Sequence, residues 1–91
     1  MQSPPINVKV YLKGFTEARV NSVRMVELTF SSTVGELITT LCMTYPFLEK
    51  YLLLQGERFC GYIVLNNRIV DEDKLLQDGD TVIIFPPLLG G

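Results

Sequence analysis

The last two residues of the chain, Gly90 and Gly91, are the residues best placed to do chemistry. Neither has a side chain, so the end of the chain can enter a narrow channel and the terminal carboxylate is unhindered. The preceding segment is Pro86-Pro87-Leu88-Leu89, and its prolines have no N–H to give to a β-ladder. We predict that residues 86–91 form a flexible tail, roughly 20 Å long when extended, with the carboxylate of Gly91 as the functional group.

The other candidate nucleophiles are Cys42 and Cys60. Cys42 lies on an apolar helical face and Cys60 lies in or before a strand, so packing is favoured over a persulfide relay at both. Their separation matches neither a zinc site nor a disulfide framework, and the chain has no histidine, the commonest general base and metal ligand. These features predict a protein that is not an enzyme, binds no metal or cofactor of its own, and is a substrate or partner of enzymes.

Composition narrows the class of protein further. The 91 residues suit one domain, and 47% hydrophobic with 20% charged residues is typical of a globular chain. The net charge of −2 and the absence of a Lys/Arg cluster argue against a nucleic-acid partner. No apolar run has membrane-spanning length and the N-terminus does not resemble a signal peptide, so we expect a cytoplasmic protein with no membrane partner.

Two alternating segments predict a pair of antiparallel strands near the N-terminus. Residues 6–13 place Ile6, Val8, Val10 and Leu12 on one face, with Tyr11 on the other. Residues 24–30 alternate in the same way, with Val26, Leu28 and Phe30 predicted to face inward. Because the two segments are neighbours in the chain, antiparallel pairing is the simplest arrangement.

A helix is predicted to follow these strands. Thr33 can cap it while Glu36 reaches back to the cap's N–H. The apolar positions recur at the spacing of one helical face: Val34, Leu37, Ile38, Leu41, Cys42 and Tyr45. Pro46 ends this helix and can start a short second one over residues 46–53.

The second half of the chain predicts three further strands. Residues 59–65 and 68–70 flank Asn66-Asn67, a pair that tolerates the left-handed backbone of a tight turn. Residues 71–77 are predicted to form a helical turn whose first residues are acidic. After the turn at residues 78–80, residues 81–85 form an apolar strand without strict alternation, which predicts a central strand with both faces covered.

The order of elements predicts an α+β fold. The last strand fits beside the first and parallel to it, with the helix making the crossover. This arrangement is the ubiquitin-like β-grasp, a mixed sheet of four to five strands with one main helix packed across it. We therefore assign residues 1–85 to a β-grasp domain and residues 86–91 to the tail.

The tail sequence, Asp78-Gly79-Asp80-x-Val82-x-x-Phe85-Pro86-Pro87-x-x-Gly90-Gly91, resembles that of the small subunit of molybdopterin synthase. Thiamine-pathway sulfur carriers and ubiquitin-related proteins share the Gly-Gly end less closely. The element order extends the resemblance over most of the chain, while the last fourteen residues carry its specific part.

The resemblance implies a function for the tail. In this family a ubiquitin-activating-type enzyme uses ATP to adenylate the terminal glycine, and sulfur from a donor enzyme then converts it to a thiocarboxylate. A larger synthase subunit holds the tail in its active site and uses the sulfur to build molybdopterin. Gly91 would be the acyl donor, Gly90 would provide clearance, and Pro86, Pro87, Leu88 and Leu89 would enter the partner.

Other functions of the same fold stay open at this point. The chain could carry sulfur for thiamine, cysteine or tRNA thiolation, become conjugated to lysines as a ubiquitin-like modifier, or act as a plain interaction module. Phe59 and Tyr62 are candidates either for partner docking or for covering the sheet. Tyr11 is a further docking candidate, because its alternation places it on the face away from the helix.

Overall fold

The structure is a computed structural model that describes residues 3–14, 23–54 and 58–86. Within these ranges the elements are β1 (Ile6–Leu12), β2 (Val23–Leu28), α1 (Val34–Thr44), a 3₁₀ turn (Pro46–Leu48), α2 (Glu49–Leu52), β3 (Leu53–Leu54), β4 (Arg58–Phe59), β5 (Tyr62–Leu65), β6 (Arg68–Val70) and β7 (Thr81–Phe85). Pro46 ends α1 as predicted, and the short helix after it is confirmed.

Five of the strands form one mixed sheet in the order β2-β1-β7-β5-β6. β1 and β7 are parallel, with Val10 beside Val82, and the other neighbouring pairs are antiparallel. β3 and β4 form a separate two-stranded sheet. The predicted central position of the last strand is therefore confirmed.

The core lies between this sheet and α1. The helix buries the predicted face, consisting of Val34, Leu37, Ile38, Leu41 and Cys42. These side chains belong to one cluster with the buried residues of the strands, including Val8, Val10, Ile63, Val82 and Ile84. One helix packed across one face of a mixed five-stranded sheet is the predicted β-grasp.

The first turn of α1 is closed by the predicted capping box. The Glu36 N–H donates to Thr33 Oγ1 at 3.2 Å, and the Thr33 N–H donates to Glu36 Oε1 at 3.2 Å. This reciprocal pair satisfies two backbone groups that the helix itself cannot reach.

The remaining N–H groups of that turn are satisfied by a distant part of the chain. The Val34 N–H donates to the Lys74 carbonyl and the Gly35 N–H to the Glu72 carbonyl, both at 2.9 Å. Residues 71–77 are not the predicted helical turn: they form a turn at Glu72 and Asp73 and then pair with the residue before α1, through the bridge of Leu75 with Thr33. Asp71 does not cap a helix; its Oδ1 accepts the Asp73 N–H at 3.0 Å within a local turn.

The inward position predicted for Phe30 is also wrong. β2 ends at Leu28, and the chain turns over residues 29–32, where Ser31 has a φ of +67° and Ser32 Oγ donates to the Thr29 carbonyl at 2.8 Å. Phe30 is left 60% exposed. A turn removes the residue from the alternation that would have placed it in the core.

The strand predicted over residues 59–65 is interrupted. β4 pairs with β3, whereas β5 pairs with β7, and the change of partner occurs at Cys60 and Gly61. Cys60 is only partly buried rather than a buried strand residue, and its N–H donates to the Leu52 carbonyl at 2.8 Å.

The Asn66-Asn67 turn is confirmed, and it also anchors β7. Both residues have positive φ values, +47° and +74°. Asn66 Oδ1 accepts the Thr81 N–H and Asn66 Nδ2 donates to Asp80 Oδ1, each at 3.0 Å. The side chain thereby fixes the start of the strand that leads to the tail.

Replacing Thr33 by Ala is expected to reduce the free energy of unfolding by about 1 kcal/mol, because the Glu36 N–H loses its acceptor. Thr44→Ala is the control, since the exposed Thr44 hydroxyl only bonds within the helix, to the Thr40 carbonyl. Its effect should stay within about 0.5 kcal/mol. Urea denaturation measures both variants, and equal losses would contradict the role assigned to the capping box.

Candidate functional site

The tail begins at the end of β7. The Lys13 N–H donates to the Ile84 carbonyl at 3.0 Å, after which Pro86 follows directly on the strand. The Pro86 ring lies beside Gly14, with its Cδ 3.3 Å from the position that a Cβ of Gly14 would occupy. Pro87, Leu88, Leu89, Gly90 and Gly91 lie outside the described residues, and their functional roles stay predictions.

Gly61 permits a close crossing at the base of the tail. A Cβ on Gly61 would overlap the carbonyl oxygen of Phe85, the last residue of β7. It would also come within 3.1 Å of Phe59 Cζ and 3.3 Å of Leu52 Cδ2. A glycine is therefore required for β5 and the loop before it to sit against the point where the tail leaves the sheet.

The face of the five-stranded sheet opposite α1 carries a continuous row of apolar side chains, here called the apolar row. Strand register places one residue of each strand side by side, in the order Val23, Tyr11, Ile83, Val64 and Ile69. In the three central strands the neighbouring positions, such as Val10, Val82 and Ile63, are fully buried on the side of the helix. The apolar row thus spans all five strands on the face that α1 does not cover.

Burial along β7 corrects the prediction that both of its faces are covered. Val82 and Ile84 are fully buried, whereas Thr81, Ile83 and Phe85 are only partly buried. Neighbouring strands shield Ile83 from the sides, and exposure increases toward the sheet edge, where Ile69 is 77% exposed. The absence of a polar face in β7 therefore reflects the apolar row rather than a second packed layer.

The apolar row is continuous with the base of the tail. Tyr62 of β5 pairs with Phe85 of β7, two residues nearer the tail than the pair of Val64 and Ile83. The Tyr62 side chain is half exposed. Tyr11 is partly buried, with Lys13 Nζ 5.6 Å from its ring centroid. Aromatic rings with a polar end are enriched in the buried centres of protein interfaces.

Of the three predicted docking residues, Tyr11 and Tyr62 lie on the face that carries the apolar row. Phe59 instead packs against the hydrophobic core. The sequence analysis did not single out Val23, Val64, Ile69 or Ile83 as candidates for docking. The signal that would have found them is strand register, because each alternates with a position of its strand that faces the helix.

The two thiols have different surroundings. Burial raises the pKa of the Cys42 thiol, and the nearby carboxylate of Glu49 adds to the rise. Cys42 is part of the core, as predicted. The thiol of Cys60 contacts the Tyr51 carbonyl, with 3.7 Å between Sγ and oxygen, and its residue is only partly buried.

The parts of the chain that the structure describes contain no group of three or more His, Cys, Asp or Glu side chains placed to hold a metal ion. None of the described helices is both long and apolar enough to cross a lipid bilayer.

The sheet order and the helix packed across one face define a ubiquitin-like β-grasp protein. Residues 16–91 match the model of the ThiS family, so the chain belongs to this family of ubiquitin-like sulfur carriers.

Several solved structures have a similar fold. The Haloferax volcanii protein HVO 2177 is 26% identical, with a TM-score of 0.77 over 96% of this chain and 88% of the other. A Pyrococcus furiosus protein described as molybdopterin converting factor, subunit 1, is 26% identical, with a TM-score of 0.69 over 91% of this chain and 99% of the other. SAMP1 from H. volcanii is 23% identical and shares the fold, with a TM-score of 0.74 over 93% of this chain and 99% of the other.

Gly61→Ala is expected to destabilise the protein by about 1–3 kcal/mol, because the added methyl group displaces the Phe85 carbonyl and the β5–β7 pairing with it. Gly35→Ala is the matched control: its Cβ would make an ordinary contact, 3.4 Å from the Glu72 carbonyl oxygen. Thermal and urea unfolding of both variants measure the difference. If Gly61→Ala is as stable as Gly35→Ala, the close crossing at the tail base is not a constraint.

Iodoacetamide should alkylate Cys60 at least about tenfold faster than Cys42 in the folded protein at pH 8. The raised pKa lowers the thiolate fraction of Cys42, and its burial requires a local opening before the reagent can reach it. Peptide mass spectrometry over time gives both rates, and 8 M urea should make them similar. Equal rates in the folded protein would contradict the burial of Cys42.

Proposed function

We propose that the carboxyl group of Gly91 carries sulfur as a thiocarboxylate and that the chain is the small, sulfur-donating subunit for molybdopterin synthesis. The main support for this proposal is the match to the ThiS family, which runs to residue 91 and so includes Gly90 and Gly91. Similarity to the P. furiosus molybdopterin converting factor subunit supports the choice of pathway. The double proline followed by two residues and Gly-Gly supports it as well.

The proposed chemistry requires activation by a partner. A carboxylate is a poor electrophile, so a ubiquitin-activating-type enzyme would join Gly91 to AMP from ATP, with release of pyrophosphate. Sulfide from a donor enzyme would then displace AMP and leave a thiocarboxylate. In this scheme the carrier binds no cofactor; it supplies an accessible terminus, while enclosure of the tail in a partner protects the activated group from water.

The apolar row is the proposed docking surface for these partners. It includes Ile83 of the strand that continues into the tail, and Tyr62 and Phe85 connect it to the tail base. A partner seated on the row therefore has the tail at the border of the interface. The activating enzyme and the larger synthase subunit both require the same tail, so their binding should be mutually exclusive.

High-resolution mass spectrometry tests the proposal directly. The protein is incubated with ATP, a cognate activating enzyme and a sulfur donor, and the C-terminal peptide is sequenced. The position of the mass change matters, because replacing oxygen by sulfur nearly matches oxidation of Met1, Met25 or Met43. We expect sulfur on Gly91 and none in a variant that lacks Gly91; an unmodified Gly91, with a control carrier activated in parallel, contradicts the proposal.

Conjugation to other proteins is the competing outcome. The fold is shared with SAMP1, although at 23% identity this likeness extends to the fold alone. A modifier would leave Gly-Gly remnants on lysines of target proteins in cell extracts, and these would disappear when Gly90 and Gly91 are deleted. Such conjugates without a Gly91 thiocarboxylate would replace the sulfur-donor proposal.

Ile69→Glu is expected to weaken binding of the activating enzyme or the larger subunit at least about tenfold, because a carboxylate would be buried on the apolar row. Met43→Glu is the matched control: Met43 is 78% exposed, against 77% for Ile69, but lies on α1. Both sites are open to solvent in the free protein, so both variants should fold. Calorimetric titration with each partner measures affinity, and similar affinities for the two variants would exclude docking through the row.

A further inference from the structure

An apolar pocket lies at the end of the sheet opposite the tail. It is a half-open pocket of about 550 Å³ between the segment before β1, the turn after β2 and the segment before β7. Its lining includes Pro4, Pro5, Phe30, Leu75 and Asp78. This volume is within the range of pockets that bind small molecules or large side chains.

Two of the lining residues are large apolar side chains that neither the core nor the apolar row uses. Phe30 is 60% exposed and Leu75 is 57% exposed. The backbone of both residues is held in place: the Ser32 N–H donates to the Thr29 carbonyl at 3.2 Å across the turn that contains Phe30, and Leu75 forms a β-bridge with Thr33. The backbone that carries the two apolar side chains is therefore in place before any partner arrives, which lowers the entropic cost of binding.

The charge at the edge of the pocket indicates which kind of partner it would bind. Asp78 lines the pocket, and its Oδ1 accepts the Asn7 N–H at 2.8 Å, which fixes the carboxylate at the edge. Asp78 is the only charged residue among the described residues that line the pocket, so the charge at its edge is negative. An apolar pocket with an acidic edge complements an apolar side chain flanked by cations.

We propose that this pocket is a second protein-binding site, which takes an apolar side chain from a partner segment that carries Lys or Arg beside it. The inference does not depend on the proposed sulfur chemistry. β1 and β7 run parallel from the pocket end to the tail end, and the seven residues of β1 separate the two ends by roughly 20 Å. A protein bound in the pocket would therefore leave the tail and the apolar row accessible, so that the carrier can be held by one protein while another acts on Gly91.

Titration of the full chain with two capped peptides, followed by amide NMR, tests the site. The probes are acetyl-Lys-Phe-Leu-Lys-amide and acetyl-Glu-Phe-Leu-Glu-amide, which share their apolar residues and differ in the sign of charge. We expect the basic peptide to shift the amide signals of Ile6, Ser31 and Leu76, and to bind at least about threefold more tightly than the acidic one, as for an exposed charge pair with Asp78. Added salt should reduce the difference.

Substitutions separate the apolar and charged contributions. Phe30→Ala and Leu75→Ala should each weaken the basic peptide about threefold or more, and both residues are exposed, so folding should be retained. Asp78→Asn keeps an oxygen acceptor for the Asn7 N–H and should remove most of the preference for the basic peptide. Ile69→Ala, on the apolar row, is the control and should bind like the unmodified protein. Equal binding of the two peptides, shifts confined to the apolar row, or no shift with the basic peptide would overturn the proposal.

Discussion

The parallel pairing of β1 with β7 is the contact on which the rest of the structure depends. It joins an early strand to the last one, and it is set by a cluster of bonds at its start. Asp78 Oδ1 accepts the Asn7 N–H, the Gly79 N–H donates to the Asn7 carbonyl at 2.8 Å, and the Lys9 N–H donates to the Asp80 carbonyl at 2.9 Å. Gly79, with a φ of +88°, permits the tight turn that brings these groups together. Once this register is fixed, β7 must end beside the end of β1, where Pro86 lies next to Gly14.

As a result of the same pairing, one face of the sheet is covered by α1 and the other is not. In β7, Val82 and Ile84 face the helix and are fully buried, while Ile83 faces the other way among apolar neighbours. The first face builds the core, because α1 offers a matching apolar stripe. The second is left as the apolar row, a surface of the kind that soluble proteins use to bind partners. Alternate residues of one strand therefore contribute to the core and to the surface that we propose for docking.

The segment between β6 and β7 connects the helix to the sheet in a way that local patterns do not reveal. Its carbonyls at Glu72 and Lys74 accept N–H groups from the first turn of α1, and the Leu76 N–H donates to the Ser32 carbonyl at 2.9 Å. Buried or partly buried backbone groups need partners, and here each segment satisfies the other. Phe30, in the turn after β2, and Leu75, in the segment before β7, remain exposed and line the apolar pocket.

The sequence by itself determined most of the regular elements. Alternation identified β1, the capping box and the apolar spacing identified α1, and Asn66-Asn67 identified its turn, because each depends on interactions within a few residues. The apolar composition of residues 81–85 also placed β7 at the centre of the sheet. Only the tertiary structure decided where Phe30 lies, where residues 59–65 break, and what residues 71–77 do. These depend on hydrogen bonds and close contacts between segments far apart in the chain, such as Gly61 with Phe85. The apolar row likewise requires the register of five strands, since each strand contributes a single residue that has no distinctive pattern alone.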